Sequence, residues 1–188
     1  MLYIIRHGQT EQNSRHVLQG RSDRPLNDAG VRQAREAAKK LSGLGVRFSR
    51  VYSSPLIRAV QTAEIVAPEI RPVIDERLIE MDYGPYEGAD LYRLPQELKT
   101  FFGDLVRNPA PAGMEQLSSV TERVGAFLEE IQSLPGNILL STHAIAMKGA
   151  LEYLTPASKG AYWSKNIGNC AIYVAENTGG GFGLPREL

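Results

Sequence analysis

The stretches Leu2-Tyr3-Ile4-Ile5-Arg6-His7 and Ile138-Leu139-Leu140-Ser141-Thr142-His143 decide how this chain is read. Each begins as a short apolar run and ends abruptly in polar residues. A run of that length reads as a buried strand. Both also deliver a histidine to the carboxyl end of the strand.

Working outward, Pro25 marks a turn and Asn27 can cap a helix in which Val31, Ala34, Ala38 and Leu41 recur at helical spacing. Ser42-Gly43-Leu44-Gly45 ends it. Arg50 to Ser53 reads as a strand, and Ser54-Pro55 as the cap and first residue of a helix reaching about Val66. Pro72 to Ile74 reads as a further short strand. Leu117, Val120, Val124, Phe127, Leu128 and Ile131 mark another helix, stopped by Gly136-Asn137. A helix over Ala144 to Leu154 and a last strand over Cys170 to Ala175 follow, with Gly179-Gly180-Gly181 as a flexible tail. Residues 83–113, rich in proline and glycine, break the rhythm and read as an inserted, lid-like excursion with one helix near Gln96 to Val106. Strands alternating with helices predict an α/β fold, a three-layer sandwich whose mostly parallel central sheet is flanked by helices. One domain over residues 1–188 is expected. Ligands of such sheets gather beyond the carboxyl ends of the strands.

Composition narrows the ligand. The 188 residues are 43% apolar and 22% charged, and Lys plus Arg equals Asp plus Glu at 21 each. No global field for nucleic acid or anionic lipid is present, so an anionic ligand has to be caught by a local cluster of cations. Cys170 is the only cysteine, no signal-peptide pattern precedes Arg6, and no apolar run is long enough to span a bilayer. A cytoplasmic protein is the expectation, with no membrane and no nucleic-acid partner.

Four elements can carry chemistry. In Arg6-His7-Gly8, a neutral imidazole is a competent nucleophile near pH 7, the guanidinium a fork of donors for phosphate, and the glycine a place where backbone can approach an anion. The alternative is a histidine ending a strand beside an ordinary arginine. Arg58 lies in the first turn of its helix, whose positive end faces the strand-end crevice; a solvated helix residue is the plainer reading. His143 follows a buried strand and can equally be a structural histidine. Glu80 can protonate a leaving alkoxide if burial and a nearby phosphate raise its pKa, or be one more solvated carboxylate among those between Asp75 and Glu87. No His, Asp and Glu cluster has metal-ligand spacing.

Taken in order, Arg6-His7-Gly8, Ser54-Pro55 with Arg58, Glu80 before Asp82-Tyr83-Gly84, and His143 after a strand resemble the histidine phosphatase, or phosphoglycerate mutase-like, superfamily from Leu2 to about Val174. The resemblance implies a phosphohistidine on His7, a phosphoryl pocket of Arg6, Arg58 and a cationic His143, and Glu80 as proton donor. It implies phosphate contacts from Asn13, Gln19, Gly20 and the backbone of Ala144, and makes Arg21 and Arg24 candidate substrate contacts. His16 matches no catalytic position. No cofactor or metal is implied, and the partner is a small phosphorylated metabolite; a monomer or homodimer is expected. There are departures. Ala144 stands where many members have glycine, and Gly113-Met114-Glu115-Gln116 replaces the usual Gly-Glu-Ser, which puts the substrate contact of that segment in question. Tyr86, Tyr92, Phe101 and Phe102 are expected to shape the pocket mouth. The compact phosphatase branch fits best, with a metal-independent phosphomonoesterase as the leading reading. A cofactor-dependent phosphoglycerate mutase and a non-catalytic phospho-ligand binding module are the alternatives.

Overall fold

A computed structural model describes residues 1–188. Its central sheet has six strands, β1 (Leu2–Arg6), β2 (Arg50–Ser53), β3 (Val73–Ile74), β4 (Ile138–Thr142), β5 (Ile172–Ala175) and β6 (Arg186–Glu187), in the order β3-β2-β4-β1-β5-β6. β3, β2, β4 and β1 run parallel, whereas β5 and β6 pair antiparallel. The sheet is therefore mixed and mostly parallel. Helices α1 (Glu11–Ser14), α2 (Asp28–Gly43), α3 (Ile57–Val66), α4 (Gln96–Gly103), α5 (Leu117–Ile131) and α6 (Ala144–Leu154) complete the chain, none long and apolar enough to cross a membrane.

The continuous apolar strands are explained by cores on both faces. In β1, Leu2 and Ile4 point toward α5 and α6, joining Val124, Phe127, Met147 and Leu151. The alternate residues Tyr3 and Ile5 pack with Ala37 and Leu41 of α2 and Ala63 and Val66 of α3. A one-residue slip would exchange the two sets, so the register Arg6↔Thr142 and Ser53↔Ser141 is tightly specified. That register brings the residues following three strand ends together: His7, Ser54 and His143.

Several elements differ from the sequence expectation. α3 starts at Ile57, with no side-chain bond from its cap Leu56; the Ile57 N–H is instead met by Asp23 Oδ1 at 2.7 Å, from a distant loop. Ser54 caps nothing helical in α3, since its hydroxyl is committed to the Leu56 N–H and the His143 ring. β5 begins two residues late because Cys170 has φ +56°, outside strand geometry. The glycine tail turns back through an Asn177–Phe182 bridge to place β6 against β5. In the excursion, α4 stops at Gly103, where Asp104 Oδ1 takes the N–H groups of Val106 and Arg107. Leu98 and Phe101 of α4 are buried in the α5–α6 core, so the excursion is anchored to the body of the protein.

Gly8 also serves a different purpose from the one its sequence position implied. Its N–H donates to Thr62 Oγ1 at 3.1 Å. A Cβ on Gly8 would sit 2.5 Å from the Gly30 carbonyl oxygen, and one on Gly30 only 2.1 Å from that of Gln9. Two glycines thus let the start of α2 press against the loop after β1, leaving no room for a side chain. Replacing Gly30 with alanine should destabilise the fold by roughly 2 kcal/mol or more through overpacking; urea denaturation of Gly30→Ala beside the parent would detect it, and an unchanged midpoint would refute the packing account.

Candidate active site

The site forms where β1, β2 and β4 end. His7 is held from three sides: its N–H donates to Thr142 O at 2.9 Å, its carbonyl accepts from Asn169 Nδ2 at 3.0 Å, and its ring Nδ1 meets Gly8 O at 2.7 Å. A carbonyl can only accept, so Nδ1 carries the ring proton and Nε2 is left with a lone pair. That Nε2 accepts from Arg58 Nε at 3.3 Å. The same Arg58 Nε reaches His143 Nδ1 at 3.2 Å, and His143 Nε2 donates to Ser54 Oγ at 2.7 Å. The two imidazoles lie 5.1 Å apart, centroid to centroid, with the guanidinium shared between them.

Arg58 is completely buried. A charge in that position needs hydrogen-bond partners, and the loop after Gln19 supplies one for each terminal nitrogen: Nη1 donates to Ser22 O at 2.7 Å and Nη2 to Gly20 O at 2.6 Å. The loop in turn is fixed by Glu87, whose carboxylate accepts from the N–H groups of Gly20, Arg21 and Ser22 at 3.0 to 3.3 Å. Gly20 therefore has its N–H spent on Glu87 and its carbonyl on Arg58; it positions the arginine instead of offering a donor to phosphate.

Arg6 Nη1 donates to Ile167 O, while its Nε is buried with no partner. Gln19 resembles it: Oε1 accepts from Thr10 Oγ1 at 2.6 Å and the buried Nε2 has no partner. Asn13 closes a capping box with Thr10, its Oδ1 accepting from the Thr10 N–H at 3.2 Å and from Asn169 Nδ2 at 3.3 Å. This use of the oxygen leaves the Nδ2 donors for other work. Ala144 opens α6 with no positive φ, so alanine is accommodated there without strain.

Glu80 is buried against the amino terminus of α6. Its Oε1 accepts the N–H groups of Met81 at 2.9 Å and Ala146 at 3.1 Å, and Oε2 that of Ile145 at 3.2 Å. The segment bearing it is tied down by Thr142 Oγ1 donating to Leu78 O, and by Arg123 Nη1 donating to the carbonyls of Arg77 and Ile79, all at 2.7 Å. Arg123 is itself paired with Glu115 at 2.7 Å. Glu115 thus acts as a scaffold, also meeting Arg21 and the Asp82 N–H.

Other expected contacts lie elsewhere. Arg21 is exposed and paired with Asp82 and Glu115, Arg24 is exposed without a hydrogen bond or ion pair, and His16 packs at a tilt against the exposed Tyr92. Of the four aromatics expected at a pocket mouth, Phe102 lines a cavity, whereas Phe101 is core, Tyr86 bonds Glu97 and Tyr92 is exposed against His16. Sequence reading took Ser54 only as a helix cap and missed Asp23, Glu87, Glu115 and Arg123. Of these four, only Glu115 carried a signal, as a carboxylate in a recognisable segment; the others act on residues far away in the chain.

Burial lowers the pKa of His7 and of His143 well below the usual histidine value, and the positive charge of Arg58 lowers both further. Arg58 is itself pushed down to about 10, chiefly by burial, and stays cationic at neutral pH. His143 is therefore neutral beside Arg58; a cationic His143 requires an anion in the crevice. An unfolded chain binds protons at these histidines below about pH 6.5 while the native state does not, so stability should fall as pH drops past that value, by about 1.4 kcal/mol per pH unit for each of the two. Denaturation midpoints from pH 7.5 to 5 for the parent and His143→Gln would show it, the variant giving the shallower slope.

The chain has relatives of the same fold and family. The model of the histidine phosphatase superfamily (branch 1) matches residues 2–186. A Hydrogenobacter thermophilus protein provisionally named phosphoserine phosphatase 2 is 32% identical over 177 residues, covering 91% of this chain and 86% of its own length. The probable phosphoglycerate mutase GpmB of Proteus mirabilis is 33% identical over 91% of this chain and 82% of its own. Among solved structures, an Entamoeba histolytica phosphoserine phosphatase variant in complex with phosphoserine superposes with a TM-score of 0.83 at 26% identity, over 99% of this chain and 93% of that one. With the family model spanning the sheet, both histidines and both arginines of the crevice, this chain belongs to branch 1 of the histidine phosphatase superfamily.

Proposed function

We propose that the protein is a metal-independent phosphatase of a small phosphorylated metabolite, working through a phosphohistidine on His7. The observation that carries this is the anchored His7 ring: with Nδ1–H given to the Gly8 carbonyl, the neutral Nε2 presents its lone pair beside two guanidinium-bearing residues. The buried, unpartnered Arg6 Nε and Gln19 Nε2 are donors that a phosphate oxygen would satisfy. Relatives named for phosphoserine phosphatase activity support the same reading.

In the first displacement His7 Nε2 attacks phosphorus, the bond to the alcohol oxygen breaks, and Glu80 delivers a proton to that oxygen. Glu80 Oε2, which accepts only one backbone N–H, is the oxygen free to carry the proton. Charge accumulating on the phosphoryl oxygens is met by Arg6, Arg58 and His143. In the second displacement Glu80 takes a proton from water as the water oxygen attacks phosphorus. The N–P bond breaks, inorganic phosphate leaves, and both His7 and Glu80 return to their starting states.

Mutase transfer is the second reading, favoured by the GpmB relatives. It shares the first displacement and returns the phosphoryl group to an alcohol.

In excess EDTA the enzyme should hydrolyse p-nitrophenyl phosphate without needing 2,3-bisphosphoglycerate; loss of turnover on chelation would contradict the mechanism, and dependence on the bisphosphate would favour the mutase. His7→Ala should abolish turnover together with an acid-labile, base-stable phosphoenzyme. Glu80→Gln should slow an alkyl phosphate by about 10²–10⁴-fold, and p-nitrophenyl phosphate far less because its leaving group needs no proton. Equal slowing of both esters would remove Glu80 from the proton-donor role.

A further inference from the structure

The mechanism leaves unused a cavity of about 600 Å³. None of His7, Arg58, His143 or Glu80 lines it, yet its walls adjoin theirs. Ile145, on one side, gives its N–H to Glu80 Oε2. Leu18 precedes Gln19, and Asn166 precedes Ile167, whose carbonyl holds Arg6. The space therefore lies next to the Glu80 side of the crevice, the side on which the leaving alcohol is protonated, and apart from the groups that hold the phosphoryl group.

Its size falls within the roughly 300–1,000 Å³ typical of sites for drug-sized ligands, several times what a three-carbon alcohol fills. The lining is mainly apolar, with Leu91, Leu94, Phe102 and Trp163 from the excursion and the loop after α6. Three charged residues face it. Asp104 is engaged by backbone N–H groups and Arg107, and Lys165 by Tyr173 and Glu187. Lys148 differs: its Nζ donates once, to Trp163 O at 2.8 Å, and no carboxylate lies within ion-pair reach. Burial lowers its pKa, an effect that attraction by Glu80 opposes. A half-buried ammonium with donors to spare and no counter-ion would be stabilised by an anion entering an otherwise apolar chamber.

We propose that this cavity is the leaving-group subsite and that it selects phosphomonoesters whose alcohol has an extended apolar body bearing a carboxylate or similar anionic group, paired by Lys148. The proposal rests on the phosphatase reading above. It distinguishes this chain's substrate from a compact phospho-acid, which would leave the apolar walls wet.

The test compares 6-phosphonooxyhexanoate, n-hexyl phosphate, 3-phosphoglycerate and glycerol 3-phosphate on the intact enzyme. The parent should prefer the hexanoate over hexyl phosphate by about tenfold or more in kcat/KM, as one charge-assisted hydrogen bond implies, and either hexyl ester over its three-carbon counterpart. Lys148→Met, which keeps the apolar stem, should erase the first preference through KM, and Lys148→Arg should retain part of it. An unchanged preference in Lys148→Met overturns the proposal. So does an equal loss for the charged and uncharged hexyl esters, which would mean that Lys148 only braces the Trp163 loop. A parent that cleaves p-nitrophenyl phosphate yet ranks 3-phosphoglycerate first also overturns it while leaving the phosphatase reading intact. A parent that cleaves none of these esters overturns the phosphatase reading itself.

Discussion

The guanidinium of Arg58 is the group around which this structure is organised. It is fully buried, and a buried charge lacking partners would cost several kcal/mol. The fold provides two backbone carbonyls and two imidazole nitrogens for it, from segments widely separated in sequence. Because its Nε bridges the rings of His7 and His143, the same arginine fixes the distance between them and adds its charge to the burial that keeps both neutral. Nucleophilicity at His7 and electrostatic readiness for an anion are two consequences of one burial.

What surrounds Arg58 is a set of dependent supports. Glu87 fixes the loop whose carbonyls hold the guanidinium. Asp23, from the same loop, closes the amino terminus of α3 on which Arg58 rides. Across the crevice, Glu115 and Arg123 hold the segment carrying Glu80, and the first N–H groups of α6 orient its carboxylate. The excursion over residues 83–113 takes part in this bracing. Glu87 within it and Glu115 just after it brace the phosphoryl side and the proton-donor side, while Leu91, Leu94 and Phe102 of the excursion wall the neighbouring chamber.

The alternation of strands and helices was legible because an apolar run buried on both faces and a 3.6-residue periodicity are local patterns. His7, Arg58 and His143 could be singled out for a related reason, since each sits at a strand end or first helical turn, the positions at which such sheets bind ligands. Where local rules failed, a distant group had taken the role. Ser54-Pro55 reads as a helix start, but Asp23 performs the capping while Ser54 serves His143. Gly8 reads as an anion approach, but its missing Cβ makes room for Gly30. Gly20 reads as a phosphate contact, but Glu87 has its N–H.

The sequence by itself determined the α/β layering, the strands that end in histidines and the chemical types gathered for phosphoryl transfer, because each is written in residues that are neighbours along the chain. Only the tertiary structure decided which nitrogen of His7 faces the crevice, that His143 is neutral beside Arg58, that Gly20 is a support, and that Lys148 stands without a counter-ion in an apolar chamber. These properties depend on burial and on hydrogen bonds between segments tens of residues apart, and neither exists until the chain has folded.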